Sequence, residues 1–138
     1  MARALRLAER GQYTAHPNPM VGCVLVKGDA IVGEGWHEKT GEAHAEVNAL
    51  RRAGEAARGS TAYVTLEPCS HHGKTPPCSE ALIKAGVRKV IAAVQDPFQK
   101  SSGHGLERLL EAGIEVQSGL MQSAAEELNR GFLMRAAR

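Results

Sequence analysis

Short apolar runs alternate with stretches of helical spacing along nearly the whole chain, and no other feature narrows the possible folds as much. Met20 to Val26 is almost entirely apolar, Gly28-Asp29 makes a turn, and Ala30 to Trp36 follows with β-branched and small residues, which predicts a hairpin. Ser60 to Leu66, Arg88 to Val94 and Ile114 to Gln117 read as further strands, and Arg88 to Val94 is a run of the kind buried on both faces. Helical spacing marks residues 2–10, ended by Gly11, and about Ala43 to Ala53, with Val47 and Leu50 on the inward stripe and Gly54 ending it. It returns from Cys78 through Leu82 and Ala85 to Gly86, from Leu106 to Ala112, and from about Ser123 to Arg135, where Ala124, Leu128 and Phe132 share a stripe. This alternation means an α/β fold, with helices covering a mixed sheet of about five strands that opens on an antiparallel hairpin.

At 138 residues the chain suits one domain, 1–138, with a core large enough to fold without a staple. Seventeen Lys and Arg against fifteen Asp and Glu leave a formal charge of +2, too even for a protein that wraps a polyanion, so no nucleic-acid partner is expected. Charges interrupt Met1 to Arg6 every two or three residues, unlike a secretory signal, and no apolar run approaches the roughly 18 residues that span a bilayer. A cytoplasmic protein without a membrane partner is the expectation. Three cysteines in such a chain argue against a disulfide framework and for metal-binding or catalytic thiols.

Two of those cysteines lie in one stretch, Pro68-Cys69-Ser70-His71-His72-Gly73-Lys74-Thr75-Pro76-Pro77-Cys78, directly after a strand. Upstream stands His44-Ala45-Glu46. A His-x-Glu followed by Pro-Cys and a second Cys has the general form of the zinc nucleobase deaminase signature, except that eight residues separate the cysteines here instead of the usual two. Zinc takes thiolate and imidazole donors in a tetrahedral site, and three protein ligands with one open position mark a catalytic centre. His44, Cys69 and Cys78 supply that set, and water at the open position would be acidified toward a pKa of about 7. Glu46 is then the proton carrier, taking the water's proton and passing it to a ring nitrogen and to the leaving amine. In mid-helix His44 and Glu46 would point about 200° apart, but in a first turn both reach a ligand beyond the helix end, where the helix dipole favours an ionised carboxylate. The rival assignment, a structural zinc recruiting His71 or His72 as fourth ligand, leaves Glu46 without a role. Cys23, among valines in mid-strand, reads as a small buried hydrophobe. In His16-Pro17-Asn18-Pro19 two prolines fix Asn18 in an extended turn, where it either caps the turn or is held over a site.

The segments His16 to Val24, His44 to Leu50 and Tyr63 to Cys78 closely resemble the deaminase domain of the RibD family of bifunctional riboflavin biosynthesis proteins, and the resemblance runs from the first helix to about Leu133. It implies a cytidine deaminase-like, three-layer α/β/α fold and hydrolytic deamination of 2,5-diamino-6-(5-phosphoribosylamino)pyrimidin-4(3H)-one to 5-amino-6-(5-phosphoribosylamino)uracil and ammonia. It implies zinc on His44, Cys69 and Cys78, Glu46 as proton shuttle, and Asn18 beside the pyrimidine. His71 and Lys74, on the long loop between the cysteines, suit a phosphoribosyl group, and His37 at the end of the second strand faces either that pocket or solvent. Lys100 to Gly103 opens a helix and reads either as an anion-binding turn or as an ordinary exposed loop.

Two departures stand out. Family members usually continue into a C-terminal reductase domain, which is not expected within these 138 residues, and many carry Asp-Pro-Asn-Pro where this chain has Asp96-Pro97-Phe98-Gln99. Competing functions are an RNA nucleobase deaminase and a non-catalytic zinc-stabilised binding module. One Trp, two Tyr and two Phe are few for the stacking groove an RNA enzyme needs. Sheet edges make a homo-oligomer the expectation.

Overall fold

In the computed structural model of the chain, which describes residues 1–10, 21–36, 44–66, 78–94 and 104–128, the hairpin forms as expected. Strands β1 (Gly22–Lys27) and β2 (Ala30–Trp36) pair antiparallel, with Gly28 at φ 63° in the turn and a register shift between Leu25 and Val26. β1 also pairs antiparallel with β3 (Thr61–Val64), and β3, β4 (Lys89–Ala92) and β5 (Glu115–Ser118) are parallel neighbours. The five-stranded order is β2-β1-β3-β4-β5, so β1 alone runs against the other four.

Among the described residues five α-helices fill the remaining apolar periods: α1 (Ala2–Glu9), α2 (Ala45–Ala53), α3 (Cys78–Ala85), α4 (His104–Glu111) and α5 (Gln122–Leu128). A one-turn 3-10 helix, Gly54–Ala57, extends α2 and was too short to show a period in the sequence. Strand alternation sends Cys23, Leu25, Ala62, Val64, Val90 and Ala92 to the core shared with α2, α3 and α4. Val24 packs instead with Ala4 and Leu7 of α1, and Ala93 and Val94 with Leu5 and Ala125. Helices thus lie on both faces of the mixed sheet, the three-layer arrangement expected.

Two stripes differ from the expectation. The residues of α2 that are buried against the sheet are Ala45, Glu46 and Ala49, while Val47 and Leu50 are only half-buried. The reason is closeness. Facing strand β2 offers Gly33 and Gly35, and the helix settles onto backbone through its small residues instead of standing off on large ones. In α5 the buried position is Ala125, with Ala124 exposed, which turns that helix by one residue from the expected stripe.

β2 is an edge strand, and its open carbonyls are covered by α2. Asn48 Nδ2 donates to Trp36 O at 2.9 Å and Arg52 Nη1 donates to Glu34 O at 2.8 Å. These residues are four apart, one turn of helix, so they reach alternate carbonyls of one strand. The Arg10 and Arg52 guanidiniums lie over the Trp36 ring, 5.0 and 5.2 Å from its centroid. No helix among the described residues is long and apolar enough to cross a membrane.

Leu25 is fully buried in β1, the strand on which both halves of the sheet pair. Leu25→Ala is expected to lower unfolding stability by about 2–5 kcal/mol, the usual range for a cavity in a close-packed core, as read from the urea midpoint at unchanged slope.

Candidate active site

Strand direction builds this site. Because β2 and β3 run the same way, their C-terminal ends share one margin of the sheet, and the helices that follow them, α2 and α3, both begin there. Ligand sites of α/β sheets form at that margin, outside the carboxyl ends of the strands. His44 is the N-cap of α2, with φ −70° and ψ 166°, and Cys78 is the first residue of α3. The two meet: His44 Nδ1 lies 3.2 Å from Cys78 Sγ. The imidazole is exposed and the thiol is buried.

Glu46 follows in the first turn of α2 and is only 4% exposed, which is rare for a carboxylate. The positive end of the α2 dipole lies at this turn and favours the ionised form. Since His44 has extended backbone angles, the mid-helix rule that would set residues two apart on opposite sides does not apply to this pair.

Beneath the turn lies Cys23 of β1, fully buried. Burial first, and the charge of Glu46 second, push its thiol well above the ordinary range. Cys23 therefore remains a neutral, apolar part of the floor, as its place among valines indicated. The exit of β3 is pinned beside it. Thr65 N–H donates to Gly22 O and Gly22 N–H donates to Thr65 Oγ1, both at 3.1 Å, so β3 is held to β1 two residues before Glu67.

The structure thus brings together His44 and Cys78 and sets Glu46 in the same turn as the histidine. Asn18, His37, Cys69, His71 and Lys74 lie outside the described residues, as do His72, Phe98, Gln99 and the Lys100 to Gly103 stretch. Among the described residues no three His, Cys, Asp or Glu side chains form a metal-binding group, because the third expected donor is Cys69. The two donors present do fit a metal. A tetrahedral zinc with Zn–N of about 2.0 Å and Zn–S of about 2.3 Å holds such atoms roughly 3.5 Å apart, and the 3.2 Å observed is close to that spacing. Both donors also stand at helix N-termini, where the positive dipole end suits a bound anion.

The glycines were missed in the sequence. Their signal was present: Gly33-x-Gly35 places two glycines on one face of a strand, and Ala45, Ala49 and Ala53 recur every four residues on the helix after it.

This fold and helix-end chemistry belong to a known class. The chain belongs to the cytidine and deoxycytidylate deaminases, whose zinc-binding region matches residues 1–94. Its branch is that of the riboflavin-synthesis deaminases. It is 66% identical to the Escherichia coli (strain K12) riboflavin biosynthesis protein RibD over 98% of this chain and 37% of that protein. It is 54% identical to the diaminohydroxyphosphoribosylamino-pyrimidine deaminase of Buchnera aphidicola subsp. Schizaphis graminum over 98% of this chain and 92% of that one. Acinetobacter baumannii RibD superposes with a TM-score of 0.96 at 55% identity, covering 99% of this chain and 38% of that one. The chain therefore spans little more than a third of the longer RibD relatives.

The Cys23 environment carries its own test. In the folded protein at about pH 8, iodoacetamide is expected to leave Cys23 unmodified while the urea-unfolded chain reacts there, as read by peptide mass spectrometry. A folded thiol that holds its proton more tightly than the unfolded one adds stability below the ordinary thiol range, and that stability is lost as pH rises beyond it. Cys23→Ala should accordingly flatten the alkaline fall in stability.

Proposed function

We propose that this chain deaminates a phosphoribosylated diaminopyrimidine, the hydroxylated compound named in the Buchnera relative, to the corresponding aminouracil and ammonia. One observation carries the reading: the His44 imidazole and Cys78 thiol meet where two helices begin, with a buried glutamate in the same turn. The zinc ligands are His44, Cys69 and Cys78. Bound zinc supplies Lewis acidity, which lowers the pKa of water at its open position.

The remaining work falls to side chains. Glu46 accepts the proton of the attacking water as the new C–O bond forms at the amino-bearing ring carbon, and it delivers that proton to the adjacent ring nitrogen. The second proton goes to the amino nitrogen, the C–N bond breaks, and ammonia leaves with the electron pair. Burial suits this carriage, since a carboxylate shielded from bulk water neither loses its proton to solvent nor spends energy reorganising it. Asn18 holds the pyrimidine edge, while His71 and Lys74 take the phosphoribosyl end and His37 borders the pocket. The substrate is a free small molecule.

Glu46→Gln preserves size and burial and removes the proton acceptor. It is expected to keep zinc at the wild-type stoichiometry while ammonia release falls by about 10²–10⁴-fold. Activity within a few fold of wild type would sink the mechanism. The assignment is tested by ammonia release from the phosphoribosylaminopyrimidine, cytidine and transfer RNA in parallel, with zinc measured on the same sample. Turnover of the first substrate alone is expected. Turnover of transfer RNA instead would place the chain among RNA deaminases, and zinc without turnover of any of the three would make it a binding module.

A further inference from the structure

We infer that Gly35 is a positioning residue for the metal-binding turn, and that its missing side chain sets where His44 and Glu46 stand. The inference rests on the roles proposed above for those two residues. Gly35 lies in β2 opposite Cys23 and directly under the start of α2. A Cβ there would lie 2.4 Å from Ala45 O, 2.5 Å from Ala49 N and 2.8 Å from Asn48 Cβ. Two of those atoms are backbone, so no side-chain rotation relieves the clash, and the turn itself must lift. Ala45 is the residue between His44 and Glu46, and its carbonyl is the atom struck first.

Conformation does not demand glycine at this position, because Gly35 is not among the glycines with positive φ. Space does. Asn48 N–H donates to His44 O at 3.1 Å and the Asn48 side chain donates to Trp36 O at 2.9 Å, so the turn is tied to the strand at the residue after Gly35. Glycine below and hydrogen bond beside together fix the height and rotation of the turn before any metal arrives.

Gly33 provides the control within the same molecule. Its Cβ would lie 2.4 Å from Ala49 O and 2.8 Å from Ala53 Cβ, an equal crowding of the same helix one turn farther from His44. If these glycines serve packing alone, the two alanine variants should behave alike.

Gly35→Ala and Gly33→Ala are compared with the wild-type chain by chelator competition for zinc, by urea unfolding of the zinc-free proteins, and by kcat and KM for ammonia release. Both variants should lose zinc-free stability to a similar degree. Gly35→Ala alone should also lose zinc affinity by about 10–100-fold, the range seen when the partners that orient metal ligands are removed, with a fall in kcat that exceeds any change in KM. Zinc affinity and kcat within about threefold of wild type in Gly35→Ala, or equal losses in Gly33→Ala, would overturn the inference. Should Gly35→Ala fail to fold, hydrogen exchange of the zinc-free wild-type protein decides. The Asn48 and Ala49 amides should then be as protected as those of Arg52 and Ala53, and fast local exchange at the first pair would overturn it. A wild-type chain that binds no zinc would instead bring down the site assignment, and this inference with it.

Discussion

The meeting of His44 with Cys78 depends on β1 running against its neighbours. Because it alone is reversed, β2 and β3 leave the sheet at the same margin, and the helices that follow them begin side by side. A histidine that caps one helix and a cysteine that opens the next therefore meet, although 33 residues separate them in sequence. Two helix N-termini, with the positive ends of their dipoles, then share one volume, and that field suits anionic groups before any metal is considered. The hairpin is thus part of the site's construction. A crossover in place of its tight turn would change which ends of the strands coincide.

The buried carboxylate shows how the field is balanced. Glu46 is shielded almost completely, and a charge placed there in an apolar surrounding alone would protonate. The helix end offsets that tendency, and Cys23 beneath it responds in the opposite sense, holding its proton because a second negative charge in the same low-dielectric space is costly. Beside the buried carboxylate the Cys23 thiol keeps its proton.

Much of this was legible in the residues, for physical reasons that differ from element to element. Strands and helices announced themselves by period, because each buries one face and the burial writes its repeat into the chain. His44, Glu46 and Cys78 were named because metal chemistry needs particular donors at helix ends, and the structure brings the histidine and the cysteine together. The seating of α2 was not. A contact line of alanines on glycines carries almost no hydropathy, so attention falls on Val47 and Leu50, which are larger and half-buried. Likewise Ala124 and Ala125 differ by one position in a helix whose stripe is too short to fix its phase. Asn18, His37, Cys69, His71 and Lys74 were named from residue chemistry and family likeness, since their segments, broken by Gly or Pro, have no apolar period from which a position follows.

The cover that α2 lays over β2 has a consequence for how this protein fails. Asn48 and Arg52 occupy the carbonyls of Trp36 and Glu34, which would otherwise be an open template for a strand of another molecule. The helix that presents His44 and Glu46 is therefore also the sheet's guard against adhesion. Damage that lifts its first turn would strip the guard at the same moment, so that the parting of His44 from Cys78 and a gain of stickiness arrive as one event.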